Sequence, residues 1–303
     1  MIKEGEYLMK LLLNESMQLT KKEKQGGIIF LFIVSLIMII IGELILLPFG
    51  FGGESPKPTM MHNLMGLFQD IVPIILVIFY CKFIEKRTLP SLGITQKNIV
   101  KNYGIGLLLG SIMIYSTFAI NLILGSIFVT SNPEGTSWLF ITLALFGYLV
   151  QGFNEELICR GFLMNSISAR KGPMAGIILN SLFFAALHLL NSGTTALSFI
   201  NIFLVGMAFS LIFYKTNSLW VVGAMHSIWN FFQGPVFGVQ VSGLSSFSSV
   251  FKPIFIEGKE LINGGAFGFE GGLAVTVVML ITVISSLVLI GKQPQKETFG
   301  KSI

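Results

Sequence analysis

At 303 residues, with 53% hydrophobic and only 12% charged side chains, the chain carries about half the charge usual for a soluble domain, which excludes an ordinary water-soluble globule. The formal net charge of +5 does not mark a nucleic-acid binder, because the Lys and Arg lie in short stretches between apolar runs and form no basic stripe. Two cysteines, Cys81 and Cys159, give neither a disulfide framework nor a CxxC metal motif, and both read as small buried hydrophobes.

The first 27 residues form a Lys-rich tail, and the apolar run behind them is too long for a signal-peptide core, so it reads as a retained first helix. A bilayer core of about 30 Å needs about 20 apolar residues per helical span. Eight runs meet that need: 28–48, 63–83, 103–130, 137–168, 174–190, 195–214, 219–237 and 270–290. The expected fold is an all-α polytopic membrane bundle of about eight helices, a membrane domain at 28–290 between tails at 1–27 and 291–303. The fourth run is over-long and must tilt, break or project beyond the bilayer. Seventeen of the 20 Lys and Arg fall on one side of this topology, leaving Lys57, Lys252 and Lys259 on the other. Cytoplasmic loops are the Lys/Arg-rich ones, so both termini are expected in the cytoplasm of a multi-pass cell-membrane protein. The Lys-, Ile- and Phe-rich composition points to a bacterial plasma membrane.

Gly106 with Gly110, and Gly147 with Gly152, would let helix backbones approach closely. Gly104, Gly106 and Gly110 are not a dinucleotide fingerprint, since the third glycine is one place late and no βαβ context exists. The Gly-, Ser- and Phe-rich segment 238–269 suits a loop outside the cytoplasm, or a re-entrant one, that shields a site.

Ionisable residues inside spans cost several kcal/mol by insertion scales, which makes each a functional candidate. Glu43 and Asp70 lie toward the outer halves of the first two spans, where a headgroup contact or a buried hydrogen bond accounts for them. His62, before the second span, reads as an interfacial residue. The cluster after Trp138 to Val150 differs, because no turn separates it from the apolar run. Glu156 and Arg160 are four apart, share a helix face and read as a supporting ion pair. Glu155, rotated about 100° from Glu156, has no such partner and is the available base. Glu155 and His188 are equidistant from the Lys171-Gly172-Pro173 turn, so an antiparallel hairpin brings them to one depth, about 25 Å along the helix from the turn. His226 and Asn230, again four apart, share a face of the seventh span.

A carboxylate and a neutral imidazole at one depth can hold a water between them, with the carboxylate as general base. A second His and an Asn amide can donate to the oxyanion of a tetrahedral intermediate. Glu155, His188 and His226 also make a two-His, one-Glu set of the kind that binds Zn with an open position, and residue types alone do not separate the two. The same cluster would serve a membrane cation or metal transporter, although no internal repeat of the transporter kind is present. There is no HExxH, and no Ser or Cys nucleophile with a recognisable partner.

Glu155-Glu156-Leu157-Ile158-Cys159-Arg160-Gly161 fits EExxxR, Phe184-Ala185-Ala186-Leu187-His188 fits FxxxH, and His226-Ser227-Ile228-Trp229-Asn230 fits HxxxN. With Thr216-Asn217-Ser218-Leu219-Trp220 leading into the third motif, the chain resembles the CPBP intramembrane proteases, also called the Abi family, bacterial relatives of the type II CAAX prenyl endopeptidase. The resemblance covers about 140–235. It implies an intramembrane endopeptidase in which Glu155 activates water with His188, His226 and Asn230 stabilise the oxyanion, and Glu156 and Arg160 support the site. It leaves the divalent metal open, since the family is described both as metalloproteases and as glutamate proteases; the metal-independent form is the one expected here. The implied partner is a membrane-associated peptide or protein in the lipid bilayer. Bacterial members are linked to bacteriocin immunity, peptide-pheromone processing and membrane signalling, and a non-catalytic immunity or scaffold protein is the remaining alternative.

Overall fold

A computed structural model describes residues 11–23, 26–49 and 59–292 of the protein. The ends of both expected tails, and Lys57, lie outside the described residues. Twelve α-helices are described: α1 (Glu15–Lys22), α2 (Ile28–Leu44), α3 (Met60–Phe68), α4 (Ile71–Phe79), α5 (Ile99–Ile123), α6 (Trp138–Glu156), α7 (Asn165–Lys171), α8 (Pro173–Leu187), α9 (Ala196–Thr216), α10 (Leu219–Phe231), α11 (Glu260–Asn263) and α12 (Leu273–Gly291). The fold is thus the expected all-α membrane bundle. By length and composition four helices can cross a membrane, Met60–Ile84, Ile99–Ile123, Ala196–Thr216 and Leu273–Gly291, while Ile28–Leu44 and Pro173–Leu187 are shorter apolar helices. The other two expected spans are built on α6 and α10, which are 19 and 13 residues long. α10 packs between α5 and α6, α8 packs on α9, and α9 on α12. Ile29, Leu36, Ile112, Ile123, Ile281 and Ile284 stay exposed on the outer helices, an apolar belt suited to lipid.

Four boundaries differ from expectation, each for a local reason. The second span is two helices, because Pro73 lacks an N–H and clashes with the carbonyl four residues back, that of Gln69. The Gln69 carbonyl instead accepts from Val72 N–H at 2.9 Å. The third span stops at Ile123, where Gly125 takes a left-handed turn (φ 56°) and Lys259 Nζ reaches back to the Leu124 carbonyl at 2.8 Å. The residues beyond it form strand β1 (Ile127–Ser131), antiparallel to β2 (Phe251–Phe255), with Ile127 opposite Phe255 and Ser131 opposite Phe251. The over-long fourth span widens into a π-helical stretch, Leu157–Met164, between α6 and α7. The seventh ends in another, Phe232–Val236, which contains Pro235.

The glycine pairs sit where backbones meet. A Cβ on Gly110 would meet the Met225 Cα at 2.9 Å, one on Gly152 would meet the Ser227 N at 2.6 Å, and one on Gly147 would meet Leu67. Gly152→Val is therefore expected to push α10 off α6 and destabilise the protein by about 1–3 kcal/mol, the usual cost of overpacking. Detergent-titrated unfolding followed by Trp fluorescence checks it; an unchanged transition would refute the close approach.

At the Lys/Arg-rich end α1 is not a loose tail. Asn14 caps it, accepting from Met17 N–H, and Lys21 and Lys22 complement the last turn. Asn14 Nδ2 donates to the Tyr214 carbonyl at 3.2 Å, and Ser16 N–H to Asn217 Oδ1 at 3.0 Å. Beneath it Arg87, buried, donates to Ser166 Oγ at 2.9 Å, Thr20 Oγ1 at 3.0 Å and the Gly161 carbonyl at 3.3 Å, and pairs with Glu85 at 3.3 Å. Both cysteines are free and buried.

Candidate active site

The polar residues expected to gather do so around one cavity of about 960 Å³, lined among others by Glu155, His188, His226 and Asn230. α6 and α10 supply most of it. Along α6, Gln151 and Glu155 are one turn apart and Gln151 Nε2 donates to Glu155 Oε1 at 2.6 Å. Asn230 Nδ2, on α10, donates to Gln151 Oε1 at 2.9 Å, so one amide ties Asn230 to Glu155. One turn away, His226 presents Nε2 to Glu155 Oε2 at 3.6 Å. Glu155 Oε2 accepts no hydrogen bond, and the Glu155 side chain remains 25% exposed.

His226 Nδ1 lies 2.9 Å from Glu156 Oε1, the same oxygen that takes Arg160 Nη1 at 2.8 Å. Glu156 and Arg160 are fully buried, as the shared face of the EExxxR turn predicts. Arg160 also donates to the Gly206 carbonyl at 3.1 Å, and its guanidinium sits 4.8 Å from the Phe184 ring and 5.7 Å from that of Phe209, both within cation–π reach. Glu156 therefore does more than pair with Arg160: it orients His226, fixing which ring nitrogen faces the cavity.

His188 ends α8. Its Nδ1 donates to the Phe184 carbonyl at 2.8 Å, satisfying one of the orphan acceptors of the last turn. Since a carbonyl only accepts, the neutral ring carries its proton on Nδ1 and leaves Nε2 as a lone pair. No hydrogen bond joins His188 to Glu155; they meet across the cavity. Among the described residues no three of His, Cys, Asp and Glu are grouped so as to hold a metal. The Glu155, His188 and His226 set does not fit a preformed three-ligand Zn site.

Sequence reasoning left four residues out of the site. Gln151 was detectable four positions before Glu155, by the same spacing used for Glu156 and Arg160. Asp70 and Glu43, for which a headgroup contact or a buried hydrogen bond was expected, both accept a hydrogen bond, Asp70 Oδ1 from Asn154 Nδ2 at 3.0 Å and Glu43 Oε2 from Gln69 Nε2 at 3.0 Å, and both line the cavity. His62 lines it too. Their roles depend on the break at Pro73, which turns Gln69 and Asp70 inward.

The 238–269 segment does cover the site: Gln240, Val241 and Ser242 line the cavity from the end opposite α1. The segment leading into α12 is anchored by Glu270, buried outside the spans, which receives Trp229 Nε1 at 3.3 Å and a close hydrogen bond from Gln233 Nε2. Burial raises the Glu270 carboxyl above its usual range, against the opposing pull of Gln233 and Trp229.

Residues 136–232 match the family model of type II CAAX prenyl endopeptidase Rce1-like proteins. No curated protein matches the chain. The family match bears out the resemblance carried by the three motifs and supports, at family level, a CAAX-type intramembrane protease.

Proposed function

We propose that this Rce1-like chain hydrolyses a peptide bond of a membrane-associated protein or peptide, using water activated by Glu155 and His188. The observation that supports it most is Glu155 Oε2, an acceptor without a donor beside a cavity that also holds an imidazole lone pair. A water bridging Glu155 and the His188 Nε2 lone pair gives its proton to Glu155 as its oxygen attacks the scissile carbonyl. His226, doubly protonated between the Glu156 and Glu155 carboxylates, donates from Nε2 to the oxyanion, and Asn230 Nδ2 faces the same space with its second N–H. The proton on Glu155 then passes to the leaving nitrogen as the C–N bond breaks. Glu156 and Arg160 keep His226 aimed, and no step is routed through a metal.

The Lys/Arg-rich end, with α1, is the cytoplasmic one in this reading, and the membrane a bacterial plasma membrane. Peptide processing or bacteriocin self-immunity follows from the family resemblance alone.

The test is cleavage of membrane-tethered peptides by the purified chain in liposomes, with and without a zinc chelator. Products are expected in both conditions. Asn230→Ala is expected to lower kcat by about 10²–10³, the usual effect of losing one oxyanion donor, with little change in KM. Cation flux without cleavage product would replace this reading with a transporter.

A further inference from the structure

The cavity contains an acidic recess that the hydrolytic step does not use. Glu43 Oε2 receives Gln69 Nε2 at 3.0 Å, and Asp70 Oδ1 receives Asn154 Nδ2 at 3.0 Å. All four residues line the cavity, next in the chain to Glu155 through Asn154. Among the described residues no Lys or Arg lines this cavity. Arg160, the nearest in sequence, is committed to Glu156 and the Gly206 carbonyl.

A second observation points to a missing donor. Gln69 and Asn154 are 7% and 4% exposed, and each has one carbonyl oxygen, Gln69 Oε1 and Asn154 Oδ1, that is buried and accepts nothing. Each amide gives an N–H to a carboxylate and leaves its own acceptor open. Carboxylates in a membrane domain are normally paired, and buried acceptors are normally satisfied. Among the described residues neither need is met.

We infer that this recess is a specificity subsite for a cationic side chain, Lys or Arg, of the membrane-associated substrate, held by Asp70 and Glu43 close to the bond that Glu155 addresses. The inference rests on the proposed peptidase reading for what the cation belongs to, but binding tests it without turnover. A guanidinium has five donors, enough for two carboxylates and the two open amide carbonyls together, and an ammonium has three, enough for both carboxylates and one of the carbonyls. A neutral side chain would leave all of them unmet.

The experiment uses the full chain in zwitterionic nanodiscs and two fluorescent, acylated Ala/Leu decapeptides, N-methylated on the backbone against cleavage. One carries a single Lys and the other norleucine at that place. Wild type is expected to bind the Lys peptide about tenfold tighter, the effect of one or two charge-assisted hydrogen bonds. Asp70→Asn with Glu43→Gln should bring the ratio to about twofold or less, and Glu43→Gln alone to an intermediate value. Equal affinities in wild type overturn the inference whatever the variants do, and so does a preference undiminished in the double variant. Cleavable versions separate the two readings: a tenfold preference without products keeps the subsite and sinks the peptidase, whereas products with no preference do the reverse.

Discussion

Glu155→Gln is expected to abolish cleavage of a membrane-tethered peptide to about 10³-fold below wild type, within the 10²–10⁴ that general-base catalysis typically contributes. The substitution keeps the side chain's shape and can still accept from Gln151 Nε2, which holds Glu155 Oε1 at 2.6 Å. What it removes is the basicity of Oε2, the oxygen without a donor. Folding should therefore be little changed, and the loss should fall on kcat rather than KM. A variant with wild-type turnover would remove Glu155 from the chemistry. His188→Ala is a weaker lesion, since that ring shares the water with a carboxylate that remains.

The largest effect on stability is expected from Arg160→Met. Arg160 and Glu156 are both fully buried at 2.8 Å, and deleting one member of such a pair leaves the other charge uncompensated, at a cost of about 3–5 kcal/mol. Met fills much of the volume between Phe184 and Phe209, so the loss is electrostatic more than steric. The double variant Glu156→Gln with Arg160→Met should unfold later than Arg160→Met alone, because no charge is stranded. Unfolding in mixed micelles reads both. An Arg160→Met transition within about 1 kcal/mol of wild type would show that His226, already 2.9 Å from Glu156, compensates its charge without Arg160.

The site and the bundle were legible in the sequence to different depths. The i, i+4 spacing paired Glu156 with Arg160 and His226 with Asn230, because that geometry is nearly independent of tertiary context, whereas joining the two helices in one site rested on the family resemblance. Hairpin symmetry set His188 at the depth of Glu155. The sequence did not reveal the inward turn of Asp70, since an apolar run interrupted by Pro73 reads as one span until the packing of α2 against α4 shows where it breaks. Nor did hydropathy foresee the β1–β2 pair: Ile127 to Ser131 is as apolar as the helix before it, and its partner lies more than a hundred residues away. Gln151 was readable and unread, an uncharged link between two charged motifs.

The clasp that α1 makes at the Lys/Arg-rich end sets an order of events in time. Asn14 and Ser16 bond to Tyr214 and Asn217, partners 200 and 201 residues downstream. At roughly 5–20 residues per second of synthesis, α1 waits about 10–40 seconds for the surface it will close. Until α9 has been inserted, Thr20 can already meet Arg87, but the seam at Asn217 stays open. The clasp on α1 thus waits for α9, and α10 and α12 are still to be made when its partners appear.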